Sequence, residues 1–285
     1  MSLRILVDSG SDLDADLIRR YDIKVIPLRT YFGEEEFLDG ITMSHEEFFE
    51  RLTTDSNHPT TSQPSPIEFL KAFHEAADAG DDLLGIFISG KLSGTYQSAR
   101  LAALECGYDR IHLIDSESVT LGTRMLVELA CRLRDEGKTV TEIVDILNTE
   151  KKYIHVYAVL DTLTYLQKGG RISKTVAVAG NLLSIKPLVA VTNGEVLLAA
   201  KARGSKNGER MLTKLIQENG NIDFDKPYCV AYSGLSSAPL EAYIHDAQDF
   251  WQKPLSELTV CTIGSTIGAH VGPGAFGVMY FAKER

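Results

Sequence analysis

Long apolar runs are missing from this sequence, and so is a leader-like start. The chain opens MSLRILVDSGSD, with one basic residue and only a short apolar run before Asp8. A secretory signal needs a longer apolar region, and a membrane-spanning helix needs about 20 apolar residues. We therefore expect neither a leader nor a membrane segment, and we expect a cytoplasmic protein.

Basic residues are also few, because 29 lysines and arginines stand against 39 aspartates and glutamates, a net charge of −10. The sequence lacks the basic footprint of nucleic-acid-binding proteins, and binding to anionic membrane surfaces is not favoured. The four cysteines, Cys106, Cys131, Cys229 and Cys261, form no C-x-x-C pair. We expect four buried, reduced thiols rather than a zinc site or a disulfide framework.

Motifs for nucleotide and metal chemistry are missing as well. The chain has no G-x-x-x-x-G-K-[ST] phosphate loop, no H-E-x-x-H pair and no carboxylate cluster with metal-ligand spacing. The segment 272–277 matches G-x-G-x-x-G formally, but a strand pattern follows it instead of a helix. We expect no ATP site, no metal, no cofactor and no catalytic residue.

The first half of the chain alternates strand-like and helix-like segments. Apolar, β-branched runs lie at 3–8, 23–28, 83–89, 110–115 and 154–161. Helical patterns lie at 66–79, 93–106, 119–136 and 139–152. This alternation predicts a mostly parallel sheet flanked by helices, with ligands beyond the carboxyl ends of the strands.

From about residue 187 the pattern changes. PLVAVTNGEVLLAAKAR predicts a hairpin that turns at Asn193-Gly194. Helices at 206–219 and 237–250 and strands at 227–233, 257–263 and 277–282 follow. We predict an α/β protein with a mostly parallel sheet in an N-terminal domain, 1–160, and a mixed sheet in a C-terminal domain, 161–285. The ligand is expected in the cleft between the domains.

Three clusters of hydroxyls and glycines carry the functional hypothesis. In the first, NHPTTSQPSP, Ser65, Pro66 and Glu68 fit a capping box that begins the helix at 66–79. Thr61 and Ser62 are not needed for that cap. They belong either to a solvated polar loop or to a site for an anion.

The second cluster, SGKLSGTYQSA, begins where the strand 83–89 ends. Ser93 and Gly94 open the next helix, whose free N–H groups favour an anion, although capping alone would explain the serine. The spacing around Ser93 is one residue too long for a G-x-S-x-G nucleophile elbow. In the third cluster, IGSTIGAHVGPGAFG, His270 is suited to donate to an anion, although a lone histidine is usually structural.

Two further segments contain basic residues that are candidates for the same anion site. In the segment DTLTYLQKGGRISK, a predicted helix ends at a glycine pair, and Arg171 and Lys174 follow it. The second hairpin strand ends with Lys201 and Arg203. Each of these residues alone would more often be ordinary surface charge.

Taken in order, VDSGSD, TTSQPSP, SGKLSGTYQSA, LDTLTYLQKGGRI and IGSTIGAHVGPGAFGV resemble the DegV family over nearly the whole chain. The resemblance implies a two-domain α/β protein that holds one long-chain fatty acid, such as palmitate, stearate or oleate. The carboxylate would lie at the domain cleft and the acyl chain in an apolar tunnel. Members of the fatty-acid-kinase type present the bound acid to a separate ATP-binding kinase subunit, which makes the acyl phosphate for phospholipid synthesis.

The same motifs imply the residues of the site. The expected ligand-binding residues are Thr61, Ser62, Ser93, Gly94 and His270. Two cations would lie near the head group and the surface that meets the kinase: Arg171 and Arg203. The protein itself would be a carrier rather than an enzyme.

Two other functions stay open at this point. A serine hydrolase or acyltransferase would use Ser93 as the nucleophile and His270 as its base. A lipid-responsive regulatory protein would bind the acid without any role in its phosphorylation. Covalent labelling of the serine would distinguish the first, and failure of phosphorylation with a cognate kinase would favour the second.

Overall fold

The computed structural model describes residues 2–173, 184–251 and 254–284. The helices are α1 (Ala15–Tyr21), α2 (His45–Thr54), α3 (Pro66–Ala79), α4 (Thr95–Cys106), α5 (Leu121–Asp135), α6 (Val140–Glu150), α7 (Thr164–Lys168), α8 (Ser205–Glu218), α9 (Ala238–Asp246), α10 (Gln248–Trp251) and α11 (Ser265–Val271). The strands are β1 (Leu3–Asp8), β2 (Ile23–Ile26), β3 (Arg29–Phe32), β4 (Glu35–Leu38), β5 (Thr60–Ser62), β6 (Asp82–Phe87), β7 (Ile111–Asp115), β8 (Ile154–Val159), β9 (Ile185–Thr192), β10 (Glu195–Arg203), β11 (Tyr228–Tyr232), β12 (Val260–Thr262) and β13 (Phe276–Phe281).

The first sheet has the strand order β2-β1-β6-β7 and is parallel throughout. Alternate side chains of each strand point to opposite faces of the sheet. In β1, Leu6 packs against α3 and α4, whereas Ile5 and Val7 pack against α5. Helices therefore cover both faces of this sheet. The prediction of a parallel sheet flanked by helices in the first half is confirmed.

The second sheet has the order β10-β9-β8-β13-β11-β12 and is mixed, as predicted. Only the β11–β12 pair among these neighbours is parallel. The run at 154–161, which the sequence grouped with the first sheet, is β8 and lies in this second sheet, antiparallel to β9 and β13. An apolar run looks the same whichever sheet it joins, because pairing partners are chosen by the tertiary fold. The division of the chain at 160 and 161 stays a prediction.

Helix α5 joins the two sheets. Its apolar side chains share one core cluster with β1 and β6 of the first sheet and with β8, β11 and β13 of the second. Leu121, Leu126 and Ala130 are fully buried there. The two sheets are thus held around one central helix.

A small antiparallel sheet, β4-β3-β5, was not predicted. Its edge strand β5 lies in the segment NHPTTSQPSP, and α11 lies in the segment that the sequence presented only as glycine-rich. Both elements are too short to show a hydrophobic period. The helix predicted at 237–250 is also divided, into α9 and α10.

Candidate functional site

Helix α11 carries His270 and lies on the small sheet. Thr30 and Thr61 are paired on neighbouring strands and share the face toward α11. The Thr30 hydroxyl is 3.1 Å from the hydroxyl of Ser265, and the Thr61 hydroxyl is 2.9 Å from His270 Nε2. Asp39 Oδ1 accepts hydrogen bonds from the Ser265 backbone N–H, at 3.0 Å, and from its hydroxyl, at 2.7 Å. These contacts hold both ends of the helix in place.

The imidazole of His270 is buried, and only one of its two nitrogens has a hydrogen-bond partner among the described residues. Its side chain is 8% exposed, and its Nδ1 has no hydrogen-bond partner among the described residues. Gly169 leaves room for this nitrogen, since a Cβ added there would lie 2.0 Å from Nδ1. A buried polar atom without a partner is costly, so an incoming hydrogen-bonding group would be stabilised here.

Arg171 ties the segment before α4 to the end of α7. Its Nε donates to the Leu92 carbonyl at 3.1 Å, and its Nη1 donates to the Gly169 carbonyl at 2.6 Å. Gly169 in turn abuts His270. The guanidinium therefore lies between the loop that carries Ser93 and the histidine.

Ser93 and Gly94 lie at the start of α4. The Ser93 hydroxyl is half-buried and 2.8 Å from the hydroxyl of Thr95. Gly94 packs against Gln63, and a Cβ at this glycine would lie 2.3 Å from Gln63 Oε1. Because Gln63 follows Thr61 by two residues, the start of α4 lies beside the end of β5. Three of the sequence clusters thus meet around His270.

The remaining predicted residues lie elsewhere. Ser62 faces the other side of β5, where its hydroxyl is 3.3 Å from Tyr31 Oη. Arg203 is exposed at the end of β10, and its carbonyl accepts a hydrogen bond from Asn207. Lys201 is likewise exposed on β10, and Lys174 lies outside the described residues.

The electrostatics of this region favour an anion. Burial first, and then Arg171 and His58, lower the pKa of His270 to about 3. Burial and Lys168 lower the pKa of His58, and burial lowers the pKa of Arg171. Two basic groups thus disfavour a proton on His270, and a carboxylate placed among them would relieve this repulsion.

The ligand-free protein is expected to lose stability between pH 7 and pH 5 because of His270. Its pKa falls from 6.5 to about 3 on folding, so between these values the unfolded chain binds the additional proton. The stability present above pH 6.5 is therefore lost as the pH falls, by about 2 kcal/mol at pH 5.

Urea unfolding at both pH values measures this loss. His270→Gln has no titrating group here and should show a pH dependence weaker by about that amount. An identical pH dependence in the two proteins would contradict the assigned protonation state.

An apolar cavity of about 60 Å³ lies beside helix α11. Ile267 and Val271 of α11 and Leu166 of α7 form the wall nearest to His270, and Val156 and Met279 of the second sheet lie along the same cavity. Small side chains leave the space, since Ala158 of β8 is paired with Gly277 of β13. The helix that carries the histidine thus also lines an apolar chamber.

Sequence reasoning missed Gly169 and Gln63, which shape the site by packing rather than by bonding a ligand. The glycine was noticed only as a helix end, and its closeness to His270 has no local signal. The apolar wall was missed too, because its residues come from strands and helices far apart in the sequence.

Ser93 and His270 are not hydrogen-bonded to each other. The hydrogen bond of Ser93 goes to Thr95 and that of His270 goes to Thr61. A nucleophile and its base need direct hydrogen-bond reach, about 2.6–3.2 Å. Within the described residues, no group of three His, Cys, Asp or Glu side chains is arranged for a metal ion, and every helix is too short or too polar to cross a bilayer.

Comparison with known proteins agrees with the motifs. The family model described as "Uncharacterised protein, DegV family" matches residues 2–283. A DegV domain-containing protein of Caldanaerobacter subterraneus is 34% identical, with 99% of each chain covered. One from Deinococcus radiodurans is 33% identical, with 98% of each chain covered.

Solved structures match over the same length. A DegV family protein from Thermus thermophilus, described for its fatty acid binding, has a TM-score of 0.88 at 31% identity, covering 99% of this chain and 100% of that one. A DegV lipid-binding protein from Thermotoga maritima has a TM-score of 0.84 at 27% identity, with both chains fully covered. On its sequence and its fold, the chain belongs to the DegV family.

Proposed function

We propose that this protein binds one long-chain fatty acid and presents its carboxylate to a separate ATP-dependent fatty acid kinase. The observation that carries the proposal is the short helix α11, which places His270 next to the apolar side chains of Ile267 and Val271. An anion site beside an apolar chamber matches a molecule that is charged at one end and hydrocarbon along the rest. The fatty acid binding described for similar DegV proteins supports the same ligand class.

The acyl chain would supply most of the affinity. Burying about fourteen methylenes at about 0.8 kcal/mol each is worth about 10 kcal/mol before the costs of association. The cavity of about 60 Å³ is smaller than the roughly 300 Å³ at the lower end of ligand pockets, so lining side chains would move apart on binding. Binding would therefore be accompanied by a rearrangement of α11 or α7.

The head group would be oriented by neutral hydrogen-bond donors more than by charge. Thr61 is within hydrogen-bond distance of His270. Ser93 and the free N–H groups at the start of α4 would add further donors, since Gly94 packs against Gln63, two residues after Thr61. Hydrogen bonds of this kind can orient a carboxylate without burying a fully paired salt bridge, and that suits an oxygen that must later accept a phosphoryl group. Enclosure would also protect an acyl phosphate from water.

Delipidated protein is expected to bind long-chain fatty acids and to prefer them to the matched fatty alcohols. Thr61→Val keeps the side-chain shape but removes the hydroxyl, so the preference for the acid should fall by about tenfold. Ser62→Ala is the matched control, because that hydroxyl faces Tyr31 on the other side of β5. Calorimetric titration measures the affinities, and denaturing mass spectrometry detects fatty acid that copurifies.

Failure of the wild-type protein to bind any long-chain acid would overturn the proposal. An equal loss of acid preference in both variants would instead remove Thr61 from the head-group site.

Presentation to a kinase has its own experiment. The loaded protein is mixed with ATP and the ATP-binding subunit of a fatty acid kinase, and acyl phosphate is measured. Arg203→Glu should slow the reaction without weakening fatty acid binding, because this arginine is exposed at the end of β10 and is proposed to face the kinase. Binding without phosphorylation would favour the regulatory role instead.

A further inference from the structure

Cys229 and Cys261 lie on neighbouring strands in the second sheet. The parallel register pairs Ala231 with Cys261, so Cys229 is the diagonal neighbour and points to the same face. Both side chains belong to the core cluster around α5. Both cysteines are free.

A buried arginine stands beside this pair. Arg124 of α5 is 4% exposed, and it binds Glu128 through Nε and Asp14 through Nη2, each at 2.7 Å. Its Nη1 is buried and has no hydrogen-bond partner among the described residues. The guanidinium interacts electrostatically with both thiols. A cation with a spare donor next to a thiol favours the thiolate form.

Cys261 is buried, at 7% exposed, but it lines a cavity. Together with Arg124, Cys261 lines this second cavity of about 460 Å³, whose described lining shares no residue with the apolar cavity. Exposed Ile41 and Val260 belong to the same lining. Small water-soluble reagents would approach Cys261 through this cavity and not through the apolar one.

The two thiols of the pair are not equivalent. The hydrogen bond from Cys229, followed by Arg124, lowers the pKa of Cys261, whereas burial raises the pKa of Cys229. Burial likewise raises the pKa of Cys131 to about 12. Of the two thiols, Cys261 is therefore the one that ionises more readily.

We propose that Cys261 is a peroxide-reactive cysteine and that Cys229 is its resolving partner. The Cys261 thiolate attacks the terminal oxygen of a hydroperoxide, the O–O bond breaks, and the leaving oxygen takes a proton as water or an alcohol. The Cys229 thiol then attacks the resulting sulfenic acid, forms the S–S bond and releases water. Two thiols are oxidised by two electrons, and one hydroperoxide is reduced.

Closing the disulfide requires a small movement of β12. Diagonal neighbours on paired strands lie about 7–8 Å apart, slightly beyond the 4.4–6.8 Å between Cα atoms in disulfides. The strand is short, Val260–Thr262, and lies at the edge of the sheet, so it is free to shift. Ala231 lies two residues after Cys229, and Ile263 lies two residues after Cys261. Both line the apolar cavity. Oxidation is therefore expected to weaken acyl binding, a consequence that rests on the proposed function.

The test uses the full chain, reduced and then treated with equimolar hydrogen peroxide. Intact mass should fall by two hydrogens, and peptide mapping should find the bond between Cys229 and Cys261. Cys229→Ser should stop at the sulfenic acid, with one dimedone adduct on Cys261. Cys261→Ser should react at least about tenfold more slowly, and the matched control Cys131→Ser should behave as the wild type.

Wild-type oxidation that is no faster than that of Cys261→Ser, or a disulfide that involves Cys106, would overturn the proposal even if one of the variants folds poorly. The thiol measurements need no fatty acid. A loss of redox reactivity and a loss of lipid binding would therefore be separate results.

Discussion

Ala158→Leu is expected to reduce long-chain fatty acid affinity by about four orders of magnitude while the protein stays folded. Ala158 lines the apolar cavity beside Gly277, its partner in the β8–β13 pair, and these two residues are the smallest of that pair of strands. An isobutyl group there would occupy space that the acyl chain needs. Excluding about seven methylenes would cost about 5–6 kcal/mol.

Calorimetric titration with a long-chain acid and with a short-chain one measures the effect, since only the long chain should be rejected. Ala79→Leu makes the same chemical change at an exposed position at the end of α3 and should leave binding unaltered. Overpacking costs typically about 1–3 kcal/mol of stability, which urea unfolding reports separately. Unchanged affinity in Ala158→Leu would mean that the acyl chain lies elsewhere.

Gly169→Ala should weaken carboxylate binding by about tenfold to a hundredfold. The backbone of Gly169 has φ −73°, which any residue adopts, so the whole effect comes from the added methyl group. That group would lie 2.0 Å from His270 Nδ1, so the imidazole must leave the position in which it bonds Thr61. Losing a hydrogen bond to a charged group costs about 1.5–3 kcal/mol.

The neighbouring glycine provides the matched control. Gly170 has φ +70° and no heavy atom within 4 Å of an added Cβ, so Gly170→Ala costs roughly 1 kcal/mol of backbone strain but leaves the imidazole in place. Affinity for a fatty acid and for the matched alcohol is measured in both variants. Loss of acid preference in Gly170→Ala, or its retention in Gly169→Ala, would refute the role of the imidazole position.

Some local features of the structure can be predicted from the sequence, and others cannot. The capping box at Ser65 and Glu68 is present, because a cap depends only on residues three apart. The hairpin turn is present at Asn193 and Gly194, with φ 49° and 78°, because these two residues tolerate that backbone. The sequence of β5 predicts a loop, because a three-residue edge strand is stabilised by pairing with its neighbour and has no pattern of its own.

The sequence alone determined the family, the alternation of strands and helices, and the residue types that suit a carboxylate, because these depend on motifs and short-range periodicity. Only the tertiary structure decided that Thr61 faces His270 while Ser62 faces away, and that β8 joins the second sheet. It also decided that Gly169 makes room for the imidazole and that Cys229 meets Cys261 beside Arg124. Such contacts join residues far apart in the chain, so they arise from packing and have no signal in the local sequence.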